Sequence, residues 1–224
     1  MKTGIRLAAS SVLGTIALGA ILFAPAGTLD YWQAWVFIAV FTTATLVPSI
    51  YLARTNPAAL QRRMHAGPRA ETRPAQKIII VASFLTLFAT MAFSALDHRF
   101  AWSPVPAWLC VLGDVLVVAG LGVAQLVIVQ NSYAAANITV EAGQTLTTDG
   151  LYGFVRHPMY AGDTVMMIGM PLALGSYWGL LFVVLGAATL VLRILDEERM
   201  LTGEMPRYRE YTQQVRYRLL PYVW

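Results

Sequence analysis

Apolar residues come in long runs, and short polar stretches separate them. Met1 to Ala24 begins with Lys2 and Arg6, then runs apolar to small residues around Ala24, Pro25 and Ala26. Signal peptides share that pattern, but the length of the apolar part and the charge pattern below favour a retained first span. Tyr31 to Ala53 predicts a second span, with Tyr31, Trp32 and Trp35 placed as an interfacial aromatic belt. Ile78 to Leu96 predicts a third, and about Pro104 to about Gln130 a fourth, long enough to tilt. After the polar stretch from Asn131 to His157, Pro158 to Gly175 predicts a shorter apolar helix broken by Pro171. Ser176 to Gly179 turns the chain. Leu180 to about Leu195 is the last apolar run, and it flows without a breaker into Asp196, Glu197 and Glu198.

Composition sharpens this into a class. With 57% hydrophobic and 12% charged residues among 224, and a mean hydropathy of +0.58, the chain is too apolar for a soluble domain of its size. The expectation is an all-α, polytopic membrane helical bundle of five to six apolar helices, forming one domain over 1–224 with no separate soluble part. Fifteen of the sixteen Lys and Arg fall on one side when the spans are alternated: Lys2 and Arg6, the six within 54–77, Arg156, and the six from Arg193 onward. Arg99 is the exception. The positive-inside rule then places both termini, the 54–77 segment and the 131–162 loop in the cytosol, in a bacterial inner membrane. Because the basic residues flank membrane segments, the net charge of +4 does not point to nucleic acid. Cys110, the single cysteine, has no disulfide partner within the chain and suits a buried apolar position in a helix. No metal-ligand spacing, phosphate-binding loop, dinucleotide fingerprint or nucleophile elbow is present.

Two polar clusters remain on the cytosolic side. The first is the glycine-punctuated loop Gly150 to Gly162, carrying Arg156, His157 and Tyr160. Pro158 biases His157 away from helical backbone and suits the first turn of the next helix, so the Arg-His pair sits at a helix N-terminus. Free N–H groups and a partial positive charge there suit an anionic group such as a carboxylate. The second is Arg193 with Asp196, Glu197 and Glu198, where i,i+4 spacing puts Arg193 and Glu197 on one face. Each has a plain alternative: an interfacial ion pair for Arg193 and Glu197, a helix cap for His157, an interfacial aromatic for Tyr160. Asp114 lies within a span toward the outer end and fits interhelical hydrogen bonding, while Asp163 is close to the loop and ambiguous. Ala119 to Gly122 is small enough for close helix packing.

Leu146, Gly150, Tyr152, the Arg156-His-Pro-Met-Tyr160 element and Gly162, followed by Arg193, Glu197, Glu198, Leu201, Tyr208, Tyr211 and the closing Val215 to Pro221, resemble the isoprenylcysteine carboxyl methyltransferase family. That family belongs to a broader set of membrane methyltransferases that includes phospholipid N-methyltransferases. The resemblance covers roughly the last ninety residues and rests on the two elements occurring together in order; the first hundred match only as generic spans. It implies S-adenosyl-L-methionine as methyl donor in a cytosolic pocket of the C-terminal half, residues 131–224. Gln144, Thr145, Leu146, Thr147, Tyr152, Arg156, His157, Pro158, Met159 and Tyr160 would line that pocket. Asn137 falls where some members carry a cofactor-contacting Gln, and Gln144 where some carry His. Glu197 would hold the donor from the last helix, with Glu198 beside it, and Arg193 would face the acceptor as the second catalytic residue. A lipophilic or small membrane-soluble acceptor would enter from the bilayer, with no metal. A carboxylate nucleophile needs no general base and Arg193 would orient it; an amine or thiol must lose a proton, to His157 or a glutamate. Methylation of a phospholipid amine or a small thiol stays open as an alternative, as does a non-catalytic membrane protein or transporter.

Overall fold

The computed structural model describes residues 2–65, 67, 71, 73–134 and 145–224, the side chains of 2–5 excepted. Among these the chain is all helix, with no strand. Eight α-helices follow one another: α1 (Lys2–Ala26), α2 (Trp32–Thr55), α3 (Pro57–His65), α4 (Pro74–Phe100), α5 (Ala107–Gln130), α6 (Pro158–Ala173), α7 (Leu180–Glu204) and α8 (Tyr208–Gln214), with a single 3-10 turn at Gly150–Gly153 before α6. Four of them, α1, α2, α4 and α5, are long and apolar enough to cross a membrane, which makes this an integral membrane protein. The remaining two long helices form a hairpin. At 16 residues, α6 is only about 24 Å long. Pro171 does not break it: the ring sits in the last turn, and the helix ends at Ala173. In α7 the apolar run and the acidic cluster share one uninterrupted helix of 25 residues.

Small residues set the tightest seam. A Cβ on Gly113 would stand 2.2 Å from the Ala173 backbone nitrogen, and one on Gly120 would stand 2.4 Å from the Gly162 carbonyl oxygen. Reciprocally, Cβ atoms on Gly162 and Gly169 would meet the carbonyls of Gly120 and Gly113 at 2.6 Å. Without side chains at these four positions, α5 and α6 touch backbone to backbone along their length, as small residues permit in membranes. Gly122, on the other side of α5, has open space around it. Helix α4 packs on α7 and α1, and α2 on α1 and α5, around a core that includes Leu22, Phe37, Met91, Val117 and Met170.

The end of the bundle opposite the basic loops is tied by polar contacts. Ser103 Oγ donates to Asp97 at 2.6 Å and Ser176 Oγ donates to the same carboxylate oxygen. Tyr31 departs from the belt expected of it: it is 1% exposed, donates to the Leu174 carbonyl at 2.6 Å and stacks on His98, leaving Trp32 and Trp35 as the exposed aromatics there. Asp114 also departs from its expected interhelical hydrogen bond. It is buried, and its Oδ1 has no partner. Cys110 is fully buried in α5, as expected.

Candidate active site

At the basic end, the loop after α5 is pinned first. Gln130 Nε2 donates to the Asp149 carbonyl at 2.9 Å, and its Oε1 accepts from the Leu151 N–H at 3.2 Å. Gly150 allows that clasp: its φ is +55°, and a Cβ would land 1.7 Å from the Gln130 amide nitrogen. His157 then caps α6 with non-helical backbone (φ −126°, ψ 64°), and Pro158 occupies the first turn, as the sequence predicts, although His157 is not fully extended. The tail closes on this elbow. Arg156 and His157 donate their backbone N–H groups to the Tyr217 and Arg218 carbonyls, both at 2.9 Å.

Glu198 is the hub of that closure. Its Oε2 accepts from Arg218 Nε at 2.8 Å, while Oε1 lies 3.3 Å from His157 Nε2 and 3.2 Å from Arg156 Nε, the latter without hydrogen-bond alignment. Burial alone would push this carboxyl up, but the hydrogen bonds from His157 and Arg218 and the charge of Arg156 outweigh it and hold the group below its ordinary range. Glu198 therefore joins tail, elbow and α7, and it stands apart from Glu197, with which the sequence grouped it.

One residue earlier on α7, Glu197 faces a cavity of about 110 Å³. Thr145, Leu146, Thr147, Tyr152, Arg156, His157, Pro158, Met159 and Tyr160 all line it, so the structure brings the first predicted cluster and Glu197 of the second to one chamber, while Arg193, Asp196 and Glu198 do not line it. Asn137 and Gln144 lie outside the described residues. The chamber adjoins a cleft of about 440 Å³ that shares Thr145, Leu146, Met205 and Tyr211 with it; together they reach the roughly 300–1,000 Å³ of small-molecule sites. Tyr208 and Tyr211 of α8 complete the wall, and Asn131 enters from the end of α5. Tyr211 Oη donates to the Tyr152 carbonyl at 2.7 Å, and Asn131 Nδ2 to Tyr152 Oη at 3.2 Å. Burial and the nearby Glu198 and Glu197 push the Tyr208 phenol up, keeping it protonated.

The second cavity is different in kind. About 360 Å³ in volume, it is walled by apolar side chains of α2, α4, α5, α6 and α7 and carries Arg63, Asp163 and Arg193. It shares Ala134, Met159 and Tyr160 with the first chamber. Tyr160 is the junction. Its hydroxyl donates to Glu197 Oε2 at 2.7 Å, facing one cavity, and accepts from Arg193 Nε at 3.0 Å, facing the other. The i,i+4 relation of Arg193 and Glu197 is thus mediated by a phenol from the neighbouring helix. Arg193 is only 5% exposed. Its NH1 donates to Gln76 Oε1 at 3.1 Å, and its NH2 lies 3.6 Å from Glu71 Oε1. Gln76 in turn donates to Asp196, which Arg73 also holds at 2.9 Å.

Glu71 and Gln76 were given no site role from the sequence because they sit in what reads as a basic surface segment; they are 1% and 0% exposed. Glu71 is the only acid between Arg54 and Lys77, and that isolation was the available signal.

The described residues fit an S-adenosyl-L-methionine-shaped ligand. Glu197 offers a carboxylate for a sulfonium or ammonium, the α6 N-terminus offers free N–H groups for a carboxylate, and Tyr208 Oη is buried on the wall with no partner. Residues 108–205 match the phospholipid methyltransferase family. A 90-residue stretch is 34% identical to a delta(14)-sterol reductase of Mus musculus and covers 39% of this chain and 22% of the reductase. The chain therefore spans well under half the length of that relative. The segment from α5 to the end of α7 is thus similar to the phospholipid methyltransferase family, one of the membrane methyltransferase group that also holds isoprenylcysteine carboxyl methyltransferase-like proteins.

Proposed function

We propose that the chain is an integral membrane methyltransferase that takes its methyl group from S-adenosyl-L-methionine and delivers it to a lipophilic or small membrane-soluble acceptor, in the manner of isoprenylcysteine carboxyl methyltransferases. The observation that carries this reading is the meeting of a polar chamber and an apolar cavity at Tyr160. The basic end faces the cytosol in this reading, so the polar chamber receives a water-borne donor and the apolar cavity takes its partner from the bilayer. When bound, the donor supplies an electrophilic methyl carbon on a sulfonium. Glu197 neutralises the donor's cationic end, the α6 N-terminus holds its carboxylate, and Tyr160 with Arg193 fixes the boundary at which the two reactants align.

Thermal stabilisation by S-adenosylhomocysteine tests the reading: at 100 times its dissociation constant it adds about 2.7 kcal/mol, whereas a scaffold or transporter does not respond. Transfer of a labelled methyl group into a total lipid and small-molecule extract then identifies the acceptor as carboxylate, amine or thiol. The similarity to a sterol reductase supports a second reading, hydride transfer to a sterol-like ring. Stabilisation by a reduced nicotinamide dinucleotide and not by S-adenosylhomocysteine selects it.

A further inference from the structure

Two bridges hold Arg193, and they come from different helices. Asp196 and Glu197 lie beyond it on α7 at the i+3 and i+4 positions, where side chains share a face. Among the described residues, both acids reach the guanidinium through a neutral intermediary. Tyr160 of α6 links Arg193 Nε to Glu197, and Gln76 of α4 links Arg193 NH1, at 3.1 Å, to Asp196. Gln76 is fully buried. A carboxylate only accepts and a guanidinium only donates, so the group between them must offer N–H or O–H at one end and an acceptor at the other. A primary amide meets both demands; a carboxylate or a hydrocarbon in its place leaves one partner facing its own kind or nothing. Arg73 closes the far end on Asp196 Oδ1 at 2.9 Å, and Glu71 Oε1 stands 3.6 Å from Arg193 NH2. Glu71, Arg73 and Gln76 all precede residues 108–205, which match the phospholipid methyltransferase family, so this hold on Arg193 is supplied from outside the matched segment.

Resting on the methyltransferase reading, we propose that Gln76 is a positioning residue for the acceptor: it fixes the Arg193 guanidinium against the apolar cavity, at the boundary where acceptor and donor meet. Gln76 itself lines neither cavity, so it acts through Arg193 and not on the reacting atoms. An arginine side chain is long, and ordering it during binding costs rotamer freedom. Gln76 and Tyr160 take that ordering out of the binding step. Their contacts fall on NH1 and Nε, and fixing two nitrogens of a planar group sets the plane before an acceptor arrives. Asp196 acts at one remove. Its carboxylate, held by Arg73, takes the amide N–H of Gln76 and so turns the amide oxygen toward Arg193.

Laurate and dodecanol carry the same chain with and without a carboxylate for the guanidinium to meet. Their difference in affinity for the purified protein in neutral detergent, read by thermal stability, reports whether Arg193 is held in place. Wild type prefers laurate. In Gln76→Leu that preference falls about tenfold; in Gln76→Glu, where two carboxylates oppose each other, it falls as well. S-adenosylhomocysteine stabilises both variants as it does wild type. Combining Gln76→Glu with Asp196→Asn exchanges amide and carboxylate at unchanged net charge: the new amide at position 196 accepts from Arg73 and donates to the new carboxylate at position 76, which accepts from Arg193. That exchange restores the laurate preference to within about twofold of wild type. Transfer of a labelled methyl group into the total lipid and small-molecule extract gives the turnover counterpart. Gln76→Leu needs about tenfold more extract to reach half its maximal rate, with the donor's half-saturation unchanged. A residue that only stabilised the bundle would shift both together. A wild type without preference for laurate, an unchanged preference in Gln76→Leu, a loss shared equally with the S-adenosylhomocysteine response, or an exchange variant that recovers that response and not the laurate preference overturns the proposal. Should Gln76→Leu fail to fold, Gln76→Glu against the exchange variant decides. Absence of any S-adenosylhomocysteine response in wild type, with the laurate pattern intact, overturns the methyltransferase reading and leaves the hold of Gln76 on Arg193 standing.

Discussion

Two adjacent glutamates on α7 have different jobs. Glu197 faces the chamber and Glu198 binds the elbow to the tail. Glu197→Gln is expected to weaken the stabilisation given by S-adenosylhomocysteine about tenfold in affinity, as loss of a charge-assisted contact does, while leaving the unliganded Tm close to wild type. Asp114→Asn, on α5 and outside the chamber lining, leaves that response intact; equal loss in both variants refutes the assignment of Glu197. Glu198 makes an acid-sensitive contribution to stability. Its folded carboxyl titrates below the ordinary value of 4.5, so the stability it provides is fully present above that value and disappears as pH falls through the lower, folded one. Glu198→Gln should therefore melt below wild type at pH 7, and the difference should close in melts run at progressively lower pH toward 3. Adjacent acids at a helix end are read from sequence as a pair; only tertiary placement gave one to the chamber and the other to Arg218.

Among the elements, the α5–α6 seam fixes where the chamber can be. Gly120 and Gly162 bring the helices into backbone contact four residues beyond the elbow at Pro158, so displacement of α6 moves His157 and Tyr160 with it. Gly120→Leu is expected to cost about 1–3 kcal/mol of overpacking and to abolish ligand stabilisation, whereas Gly122→Leu, where the space is open, costs little. Melting curves of the two variants with and without S-adenosylhomocysteine make the comparison. The helices themselves were legible: long apolar runs gave α1, α2, α4 and α5 to within a few residues, because hydrophobic length is the strongest signal a membrane sequence carries. Their polar extensions were not. Helix α4 starts at Pro74, four residues before its apolar run, and this first turn brings Gln76 to Arg193. Hydropathy is blind to a polar turn that is buried by other polar groups. The short α3, within the basic segment, was missed for the same reason.

For the molecule as a whole, the sequence predicted that the His-Pro-Tyr elbow and the acidic end of the last apolar run would share one side and one pocket. The elbow and Glu197 do line one chamber, while Arg193 lines the neighbouring cavity. The second cavity was out of reach, since its wall draws on six helices separated in sequence, and periodicity gives no information about which apolar faces leave space between them. Its existence also explains why Tyr160 is so constrained: a single hydroxyl is bonded both to an acid of one compartment and to a guanidinium of the other.

That shared hydroxyl makes the two compartments thermodynamically dependent. Any ligand that draws Glu197 or Arg193 toward itself redistributes the phenol's hydrogen bonds, and by linkage the influence must be equal in both directions. Titrating S-adenosylhomocysteine in the absence and presence of a saturating long-chain occupant should give dissociation constants differing by about fivefold or more, and Tyr160→Phe should bring the ratio toward one. In the proposed methyltransferase reading, heterotropic cooperativity of this kind would commit the donor only when a partner has arrived from the lipid phase.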